Sequence, residues 1–408
     1  MFKLEMLPAG PGDCLWLEYG TPPETRVVII DGGLGKTAAV LRRRIEAACY
    51  ERGTGKLELE LLVVTHIDND HILGIVELLD NPPECLSVKD VWFNGLPQLK
   101  RLPTPTTLDE VEKPQRRARP ADLLGGSDDE EEDESLSALT SLARPSDLLG
   151  PAQGDQLTEL LSEKRMPWNK SWDNEAVMIP ITGDLPTREL EGKLKLTILG
   201  PTHSRLYTLC TKWPDVLGGN EDTSSSPALP EDLLGPSDTW PPVWKEGEKK
   251  DSSFANGSSI MLLAEYGEGN DKHALLLAGD GHAPDIAQVM KRLAKERNLS
   301  TPFPLYAFKL PHHGSSHNLT QALLESVDCS RYLISTDGSG KPRHPDHQAL
   351  LRILKYSSSE RPHLLFNHRG ATTSPWLEKK ADVVHGEFKD FDVTFPDDAE
   401  DGLILTIK

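Results

Sequence analysis

Residues 65–71 read THIDNDH and hold four side chains that can bind a metal ion, namely His66, Asp68, Asp70 and His71. Imidazole nitrogens combined with carboxylate oxygens suit zinc, manganese or ferrous iron, whereas calcium prefers oxygen alone and a structural zinc usually recruits thiolates. The cluster therefore predicts a metal site. A helix start capped by Asp68 is the simpler alternative, but a cap needs one carboxylate and accounts for neither histidine.

The segments on either side of the cluster predict where it lies in the fold. Residues 59–64 are rich in Leu and Val, as in a buried strand, and residues 72–79 have the spacing of a short amphipathic helix. The candidate ligands are therefore expected on a strand-to-helix loop at the rim of a sheet.

Outside two long polar stretches, the chain alternates segments that have the patterns of strands and helices. Hairpin-like pairs of strands begin each half, and helix-connected strands follow. This order predicts an α/β fold in which two mixed sheets pack face to face with helices outside, as a single domain over residues 1–408.

The two polar stretches, about 97–168 and 201–253, are rich in Pro, Ser, Thr, Gly and acidic residues. They are predicted to be insertion loops, the first of them acidic and largely disordered. A phrase containing DLLG recurs three times, starting at Arg119, Arg144 and Leu229, and its irregular spacing excludes a solenoid. Two interpretations stay open: the motif docks its leucines into a groove of a protein partner, or its Asp caps one helical turn whose leucines cover a neighbouring surface.

The formal net charge of -20 disfavours sequence-independent binding of nucleic acid over the whole surface, because phosphate neutralisation needs clustered Lys and Arg. It leaves room for a nucleic-acid substrate at a local site. Basic groups cluster only locally, at residues 42–44 and at Lys341 and Arg343. No apolar run approaches the roughly 18 residues of a membrane span, and the N-terminal sequence lacks the layout of a signal peptide. The expected location is the cytoplasm, without membrane contact.

The five cysteines are widely separated along the chain, at positions 14, 49, 85, 210 and 329. They show none of the paired spacings of a thiolate metal site or a disulfide framework. Reduced, buried thiols are therefore expected.

The second half supplies residues that could complete the metal site, each where a predicted strand ends. The segment LLLAGDGH puts Asp280 after an apolar strand, where a carboxylate can bridge two ions, although a helix cap is the alternative. The segment KLPHHGSSHN places His312 beside His313, and adjacent side chains at a strand end are expected to point in different directions. One of the pair is then expected to be a ligand and the other an acid or a phosphate contact. His344 lies on a later Gly-rich loop, which alone is weak support.

Together these motifs resemble the metallo-β-lactamase superfamily, in particular the ComEC-type metallo-hydrolase domain and its free-standing soluble relatives. The segments that carry the resemblance are, in chain order, GPGDC, IIDGG, THIDNDH, NGSS, LLAGDG, LPHHGSS and RHP. The resemblance covers most of the chain outside the polar stretches. It implies an αββα sandwich with two divalent metal ions, Zn or Mn, at the rim between the sheets.

The resemblance also implies a set of metal ligands. It assigns His66 and Asp68 to one ion and Asp70 and His71 to the other, with Asp280 as the bridge, and it makes His312 the candidate ligand from the histidine pair.

This chain departs from the commonest superfamily pattern, HxHxDH, because Asp68 stands in place of its second histidine. A carboxylate there shifts preference toward harder ions, so manganese competes with zinc. Many members carry a further histidine ligand where this chain has Asn256, and His203 is a candidate substitute.

Catalytic roles follow from the same resemblance. Asp70 is expected to orient the attacking water as well as bind metal. Asp31 is expected to hold a ligand histidine in one tautomer, with a turn residue in DGG as the alternative. His313, Ser315 and His344 are expected to contact a scissile phosphate or to protonate the leaving group.

The leading functional hypothesis is a metal-dependent hydrolase of phosphodiesters, with a nuclease that uses a metal-activated water on DNA or RNA as the first candidate. One alternative is a hydrolase of another small ester, a thioester or a cyclic nucleotide. A second alternative is a partner-binding module that uses the DLLG repeats and the acidic insertion. The free-standing relatives often lie in bacterial operons that include defence loci, which implies a protein partner.

Overall fold

Eighteen strands and ten helices are seen in the computed structural model, which describes residues 1–408 except 54, 106–149, 218–239, 341–342, 385 and 399–401. The strands are β1 (Phe2–Met6), β2 (Leu15–Thr21), β3 (Glu24–Ile30), β4 (Leu57–Leu59), β5 (Leu61–Val63), β6 (Leu86–Val88), β7 (Val91–Trp92), β8 (Thr187–Glu189), β9 (Lys195–Gly200), β10 (Met261–Tyr266), β11 (His273–Leu277), β12 (Phe303–Pro304), β13 (Ala307–Lys309), β14 (Val327–Asp328), β15 (Arg331–Ile334), β16 (His363–Phe366), β17 (Asp392–Thr394) and β18 (Leu403–Thr406). The helices are α1 (Thr37–Glu51), α2 (Asn69–Asp80), α3 (Leu96–Leu99), α4 (Gly150–Glu163), α5 (His203–Leu217), α6 (Phe254–Gly257), α7 (Ala283–Glu296), α8 (Gln321–Leu324), α9 (His347–Tyr356) and α10 (Pro375–Glu378).

Two mixed sheets form the body of the protein. The six-stranded sheet has the order β18-β1-β2-β3-β5-β7, and the eight-stranded sheet has the order β17-β16-β15-β13-β11-β10-β9-β8. In each, antiparallel hairpins adjoin strands that run parallel, such as β3, β5 and β7. The predicted α/β class, an αββα sandwich, is confirmed.

The apolar pattern of β3 shows why the sheets have two covered faces. Successive side chains of a strand point to opposite faces. Val28 and Ile30 belong to the core that includes Leu262 of the other sheet, whereas Val27 and Ile29 belong to the core that includes the buried faces of α1 and α2. Each such side chain, once buried, contributes roughly 1.5–3 kcal/mol to folding.

The turn between β1 and β2 is held by the far end of the chain. Asn367 Nδ2 donates to the carbonyl oxygen of Leu7 (3.0 Å), and Ser335 Oγ donates to that of Gly12 (2.9 Å). Gly12 also packs on the loop at the start of α2, so closely that a Cβ atom there would lie 1.9 Å from the carbonyl oxygen of Asp70. The turn therefore joins this loop to the eight-stranded sheet.

Each of the two stretches that the sequence predicted to be an insertion loop contains an α-helix. Helix α4 lies within the predicted 97–168 insertion and packs on α2, and α5 lies within the predicted 201–253 insertion. Leu157 and Leu161 of α4, one helical turn apart, are buried in the core. This short apolar stripe was not recognised in the sequence because the residues around it are rich in Pro, Gly and Ser. The DLLG phrases fall almost entirely outside the described residues, so the predicted protein partner stays a prediction.

The cysteine prediction is wrong for one pair. Cys49, near the end of α1, and Cys85, just before β6, form a disulfide with Cα atoms 6.4 Å apart. Strands β4 and β6 pair in parallel with Leu57 opposite Leu86, which brings the segment before β6 beside the end of α1. A separation of 36 residues in the sequence does not encode that contact.

None of the helices in the described ranges combines the length and the apolar run that a bilayer crossing needs.

Replacing Leu157 by Ala tests whether α4 belongs to the folded domain. The side chain is fully buried, so its loss should lower the free energy of unfolding by about 2–5 kcal/mol. Urea denaturation would measure the change, with Glu159→Ala on the exposed face of α4 as the matched control. If the two variants were equally stable, Leu157 would not contribute to the core, and α4 would not belong to the folded domain.

The disulfide predicts the pattern of thiol labelling. Alkylation of the denatured protein without reductant should modify Cys14, Cys210 and Cys329, and Cys49 and Cys85 should react only after reduction. Mass spectrometry of peptides gives the count directly. Labelling of all five before reduction would contradict the disulfide.

Candidate metal centre

The predicted site residues come together because each follows a strand at the same rim of the sandwich. The cluster at residues 65–71 follows β5, Asp280 follows β11, the pair His312 and His313 follows β13, and His344 lies on the loop after β15. Loops at the carboxyl ends of parallel strands meet at one edge of a sheet, which is where such folds place ligands. Two backbone hydrogen bonds join the loops across the rim, from Ile260 N to the Thr65 carbonyl and from His312 N to the Gly279 carbonyl.

The carboxylate of Asp280 is the centre of the cluster. Its oxygens lie 3.2 Å from Nε2 of His71, 3.7 Å from that of His313, and 3.8 Å from those of His66 and His312. Asp280 is 2 % exposed. The N-cap of α7 is His282 rather than Asp280, so the capping alternative is wrong.

Asp68 and Asp70 divide these imidazoles into two groups. Asp68 Oδ2 lies 3.6 Å from His66 Nε2, and Asp70 Oδ2 lies 3.2 Å from His313 Nε2. His71 joins the second group, with its Nε2 atom 3.2 Å from that of His313. The arrangement brings together the residues that the sequence assigned to two ions with Asp280 between them.

The capping alternative for Asp68 is also settled by the geometry. Asp68 occupies the N-cap position of α2, but its side chain accepts no hydrogen bond from the helix. The carboxylate is directed instead toward His66.

The two adjacent histidines of the HHGSS loop both direct Nε2 toward Asp280, contrary to prediction. The prediction assumed extended backbone, where neighbouring side chains diverge. His312 and His313 have φ of 48° and 53°, in the left-handed region, so the chain turns between them. His312 then faces Asp280 beside the His66 group and His313 faces it beside the His71 group, so His313 also lies among the candidate ligands.

Asp31 lies behind the cluster, where the sequence placed it. Its Oδ2 atom is 2.8 Å from His71 Nδ1, and it also accepts hydrogen bonds from the backbone N–H and the hydroxyl of Thr65 (both 2.7 Å). The Thr65 hydroxyl in turn lies 2.9 Å from Nδ1 of His66. One carboxylate thus orients two of the imidazoles.

Asp13 supports His313 in a similar way, and its part was missed in the sequence. Its Oδ1 atom lies 3.3 Å from His313 Nδ1, and its other oxygen forms an ion pair with the fully buried Lys309. By distance alone, Asp13 groups with His71, Asp280 and His313 as a candidate metal ligand. Because it approaches Nδ1 of His313, on the side away from Asp280, and is neutralised by Lys309, we assign it to positioning. The GPGDC motif around Asp13 was the available signal.

His312 is held by a third acidic group. Its Nδ1 atom lies 3.0 Å from Asn318 Oδ1, 3.2 Å from Asn256 Nδ2 and 3.4 Å from Asp251 Oδ2. Asn256 therefore contributes to the orientation of a candidate ligand, in the position where a histidine was expected. No motif marked Asp251 or Asn318 in the sequence.

The electrostatics of the cluster are those of a cation site. Burial alone would lower the pKa of His71, but the carboxylates of Asp280 and Asp31 raise it well above its usual value. Burial likewise opposes protonation of His312, yet Asp280 and Asp251 raise its pKa to about 9. Imidazolium ions stabilise the carboxylates here in the way that metal ions would.

His344 has the opposite character. Its ring centre lies 5.0 Å from that of His312, and burial lowers its pKa to about 3, with His312 and His313 acting in the same direction. Within the described part of the chain, neither of its ring nitrogens makes a hydrogen bond. A neutral imidazole with two unpaired nitrogens favours, of the two roles expected from the sequence, the contact with a scissile phosphate, and it also allows a role as a metal ligand.

The unpaired atoms show that the residues fit a metal ion. Among the described residues, His66 Nε2, Asp68 Oδ1 and Asp280 Oδ1 are buried without a hydrogen-bond partner. Buried polar atoms are normally satisfied, since an unsatisfied one costs about 1–3 kcal/mol. These atoms converge on the same space, so a bound cation accounts for them.

Two other predicted residues, Ser315 and His203, have described contacts that do not include the Asp280 carboxylate. The backbone N–H of Ser315 donates to the His312 carbonyl and its hydroxyl accepts from His317 N, so these contacts remain within the HHGSS loop. His203 begins α5, with its ring stacked on Tyr207 at 6.4 Å. The structure adds no support for a contact of either with Asp280.

Residues 7–140 match the family model of the Metallo-beta-lactamase superfamily, which shows a domain of that superfamily in this part of the chain. The match contains Asp13, Asp31 and the THIDNDH cluster, whereas Asp280 and the HHGSS loop lie beyond it. The predicted resemblance is confirmed at the level of the superfamily. Members are generally hydrolases and usually bind divalent metals, most often zinc. Together with the candidate metal-binding group, the match suggests a metal-dependent hydrolase. Among curated proteins, none matches this chain.

The metal-free protein is expected to lose stability between about pH 6.5 and 9. Folding raises the pKa values of His71, His312 and His313, that of His312 to about 9. Their contribution to stability is complete below the unfolded-state pKa of about 6.5 and is lost as the pH rises through the folded-state values. Calorimetry of chelator-treated protein should show Tm falling over this range.

Saturating Zn²⁺ should remove or reverse this fall, because zinc binds deprotonated imidazole more tightly as the pH rises. The same calorimetric series with zinc provides the comparison. Identical pH dependence with and without zinc would show that the cluster does not bind it.

Proposed function

We propose that this protein is a metal-dependent phosphodiesterase, with a nuclease as the first candidate. The observation that carries the proposal is the buried Asp280 carboxylate facing four imidazole nitrogens, with unpaired ligand atoms directed into the same space. Hydrolysis of a phosphodiester is chemistry that such a donor set serves, since its leaving group and nucleophile are both oxygen anions.

The donor set divides between two divalent ions, zinc or manganese. His66, Asp68 and His312 would hold one, Asp70, His71 and His313 would hold the other, and Asp280 would serve both. Such ions, when bound, supply Lewis acidity and lower the pKa of water. The mixed nitrogen and oxygen donors suit zinc, and the carboxylate share keeps manganese in competition.

The protein side chains supply orientation and hydrogen bonding. Among the three inner carboxylates, Asp70 is the most exposed, at 30 % against 13 % for Asp68 and 2 % for Asp280. Burial would raise its pKa, but His71 and His313 hold that pKa well below the usual range, so the carboxylate stays anionic. It is therefore placed to accept a hydrogen bond from an attacking water. His344, neutral and beside His312, is placed to contact a substrate oxygen.

Some of the basic side chains that the sequence suggested as contacts for nucleic acid instead form contacts within the protein. Arg44 pairs with Glu5 at 2.8 Å, and Arg42 donates to the carbonyl of Asn81. Lys341 lies outside the described residues. This use of local cations favours a compact substrate, so a hydrolase of a small ester, a thioester or a cyclic nucleotide is the second candidate.

The Asp280→Asn variant tests the metal-centred proposal. Loss of the shared carboxylate should reduce hydrolysis by more than the roughly 100-fold that removal of an outer partner of a ligand costs. Bis(p-nitrophenyl) phosphate, DNA, RNA, a cyclic nucleotide and a thioester would be assayed with Zn²⁺ and with Mn²⁺. Wild-type cleavage of only the last two substrates would replace the first candidate with the second.

Asp285→Asn is the matched control, because it makes the same charge change five residues away, where Asp285 pairs with Arg205. It should keep wild-type activity. Cleavage that survives Asp280→Asn undiminished would contradict both candidates.

A further inference from the structure

Residues 240–253 are the last part of the second predicted insertion, where the chain returns to the sandwich, and we call them the return limb. The limb lies along α9, the helix that begins three residues after His344. Trp240 packs edge-on against Trp376 at 5.3 Å. Trp244 packs against Tyr356 at 6.2 Å. These ring contacts hold the limb against α9 and α10.

A single guanidinium joins the limb to the HHGSS loop. Arg352 of α9 is 3 % exposed. It donates to the carbonyl of Gly247 on the limb (2.8 Å) and to those of Leu319 (2.9 Å) and Ser316 beyond the histidine pair. The limb and the loop that carries His312 are therefore held at a fixed separation.

The limb ends by burying one carboxylate beside the cluster. Residues 245–250 are exposed, whereas Asp251 is 8 % exposed. Its Oδ2 atom accepts from Asn256 Nδ2 (2.6 Å) and Asn318 Nδ2 (2.9 Å) and lies 3.4 Å from His312 Nδ1. Asn318 also lies 3.0 Å from the same imidazole nitrogen through its own oxygen.

A purely local role does not explain the whole arrangement. Asp251 Oδ1 accepts from Ser253 N (2.9 Å), a common turn contact before a helix. The other oxygen accepts from Asn256 in that helix, but it also accepts from Asn318 of the HHGSS region and lies 3.4 Å from the ring nitrogen of His312 that does not face Asp280. Contacts of this kind fix the tautomer and direction of a metal-binding histidine.

We propose that the return limb is part of the metal centre and that Asp251 is a positioning residue that holds His312 toward Asp280. The inference rests on the proposed metal-dependent function. Through Asp251, the second insertion would affect one ion position, formed by His66, Asp68, Asp280 and His312. The other position, formed by Asp70, His71 and His313, would not depend on the limb.

Zinc binding by the full-length, chelator-treated protein tests the proposal without any substrate. Competition with a chromogenic chelator should show that Asp251→Asn weakens one of two bound Zn²⁺ ions by about 10–100-fold and leaves the other unchanged. Glu246→Gln, on the same limb, makes the same charge change at a side chain that contacts Trp244 and Lys355 rather than Arg352, and it should bind both ions like wild type. Unchanged affinity in Asp251→Asn, or equal weakening in Glu246→Gln, would overturn the proposal.

A double-mutant cycle separates positioning from a general charge effect. If Asp251 acts through His312, then Asp251→Asn should add no further loss of zinc affinity in a His312→Ala background. Additive losses would show that the carboxylate acts by another route.

Hydrogen exchange of the wild-type protein keeps the proposal testable should Asp251→Asn fail to fold. Zn²⁺ should slow amide exchange in residues 247–253 as well as in residues 66–71. Slowing confined to residues 66–71 would refute the role of the limb. Because these readouts need no substrate, a protein that binds zinc as described but hydrolyses no ester would refute the proposed function alone.

Discussion

The concentration of negative charge around Asp280 is the constraint on which the site depends. Three inner carboxylates, Asp68, Asp70 and Asp280, lie close together in a space largely closed to water, and burying such groups unpaired would be prohibitive. The fold meets this constraint with four imidazoles, which approach Asp280 from two separate loops. The rim of the sandwich is therefore stable only when positive charge balances these carboxylates, either as protons on the histidines or as metal ions.

A second layer of acidic groups gives the imidazoles their direction. Asp31 holds His71 and, through Thr65, His66, while Asp13 and Asp251 stand behind His313 and His312. These outer groups come from three distant parts of the chain. Each histidine is therefore oriented by a carboxylate from a segment other than its own, and the precision of the centre derives from the packing of the whole sandwich.

The sequence predicted the fold class and the inner residues because both depend on local patterns. Alternation of apolar residues defines strands such as β3, and strand ends followed by His and Asp mark the rim. The directions of His312 and His313 could not be predicted, because they depend on two left-handed backbone conformations in non-glycine residues. The contact of Asp251 with His312 and the Cys49–Cys85 disulfide were not predicted for another reason, because in each case tertiary packing alone brings the two partners together. Helix α4 was missed because its three buried leucines are a weak signal within a polar stretch.

The turn between β1 and β2 has a consequence for how the centre forms. The carbonyl of Gly12 is held by Ser335, 323 positions away, and the His71 and His313 rings that meet beside Asp280 are 242 positions apart. Contacts of such long range close late, after the loops between them have lost most of their conformational freedom. The half of the chain that carries THIDNDH is synthesised well before its partners exist. The donor groups around Asp280 are therefore complete only after residue 344 has emerged and the second sheet has formed.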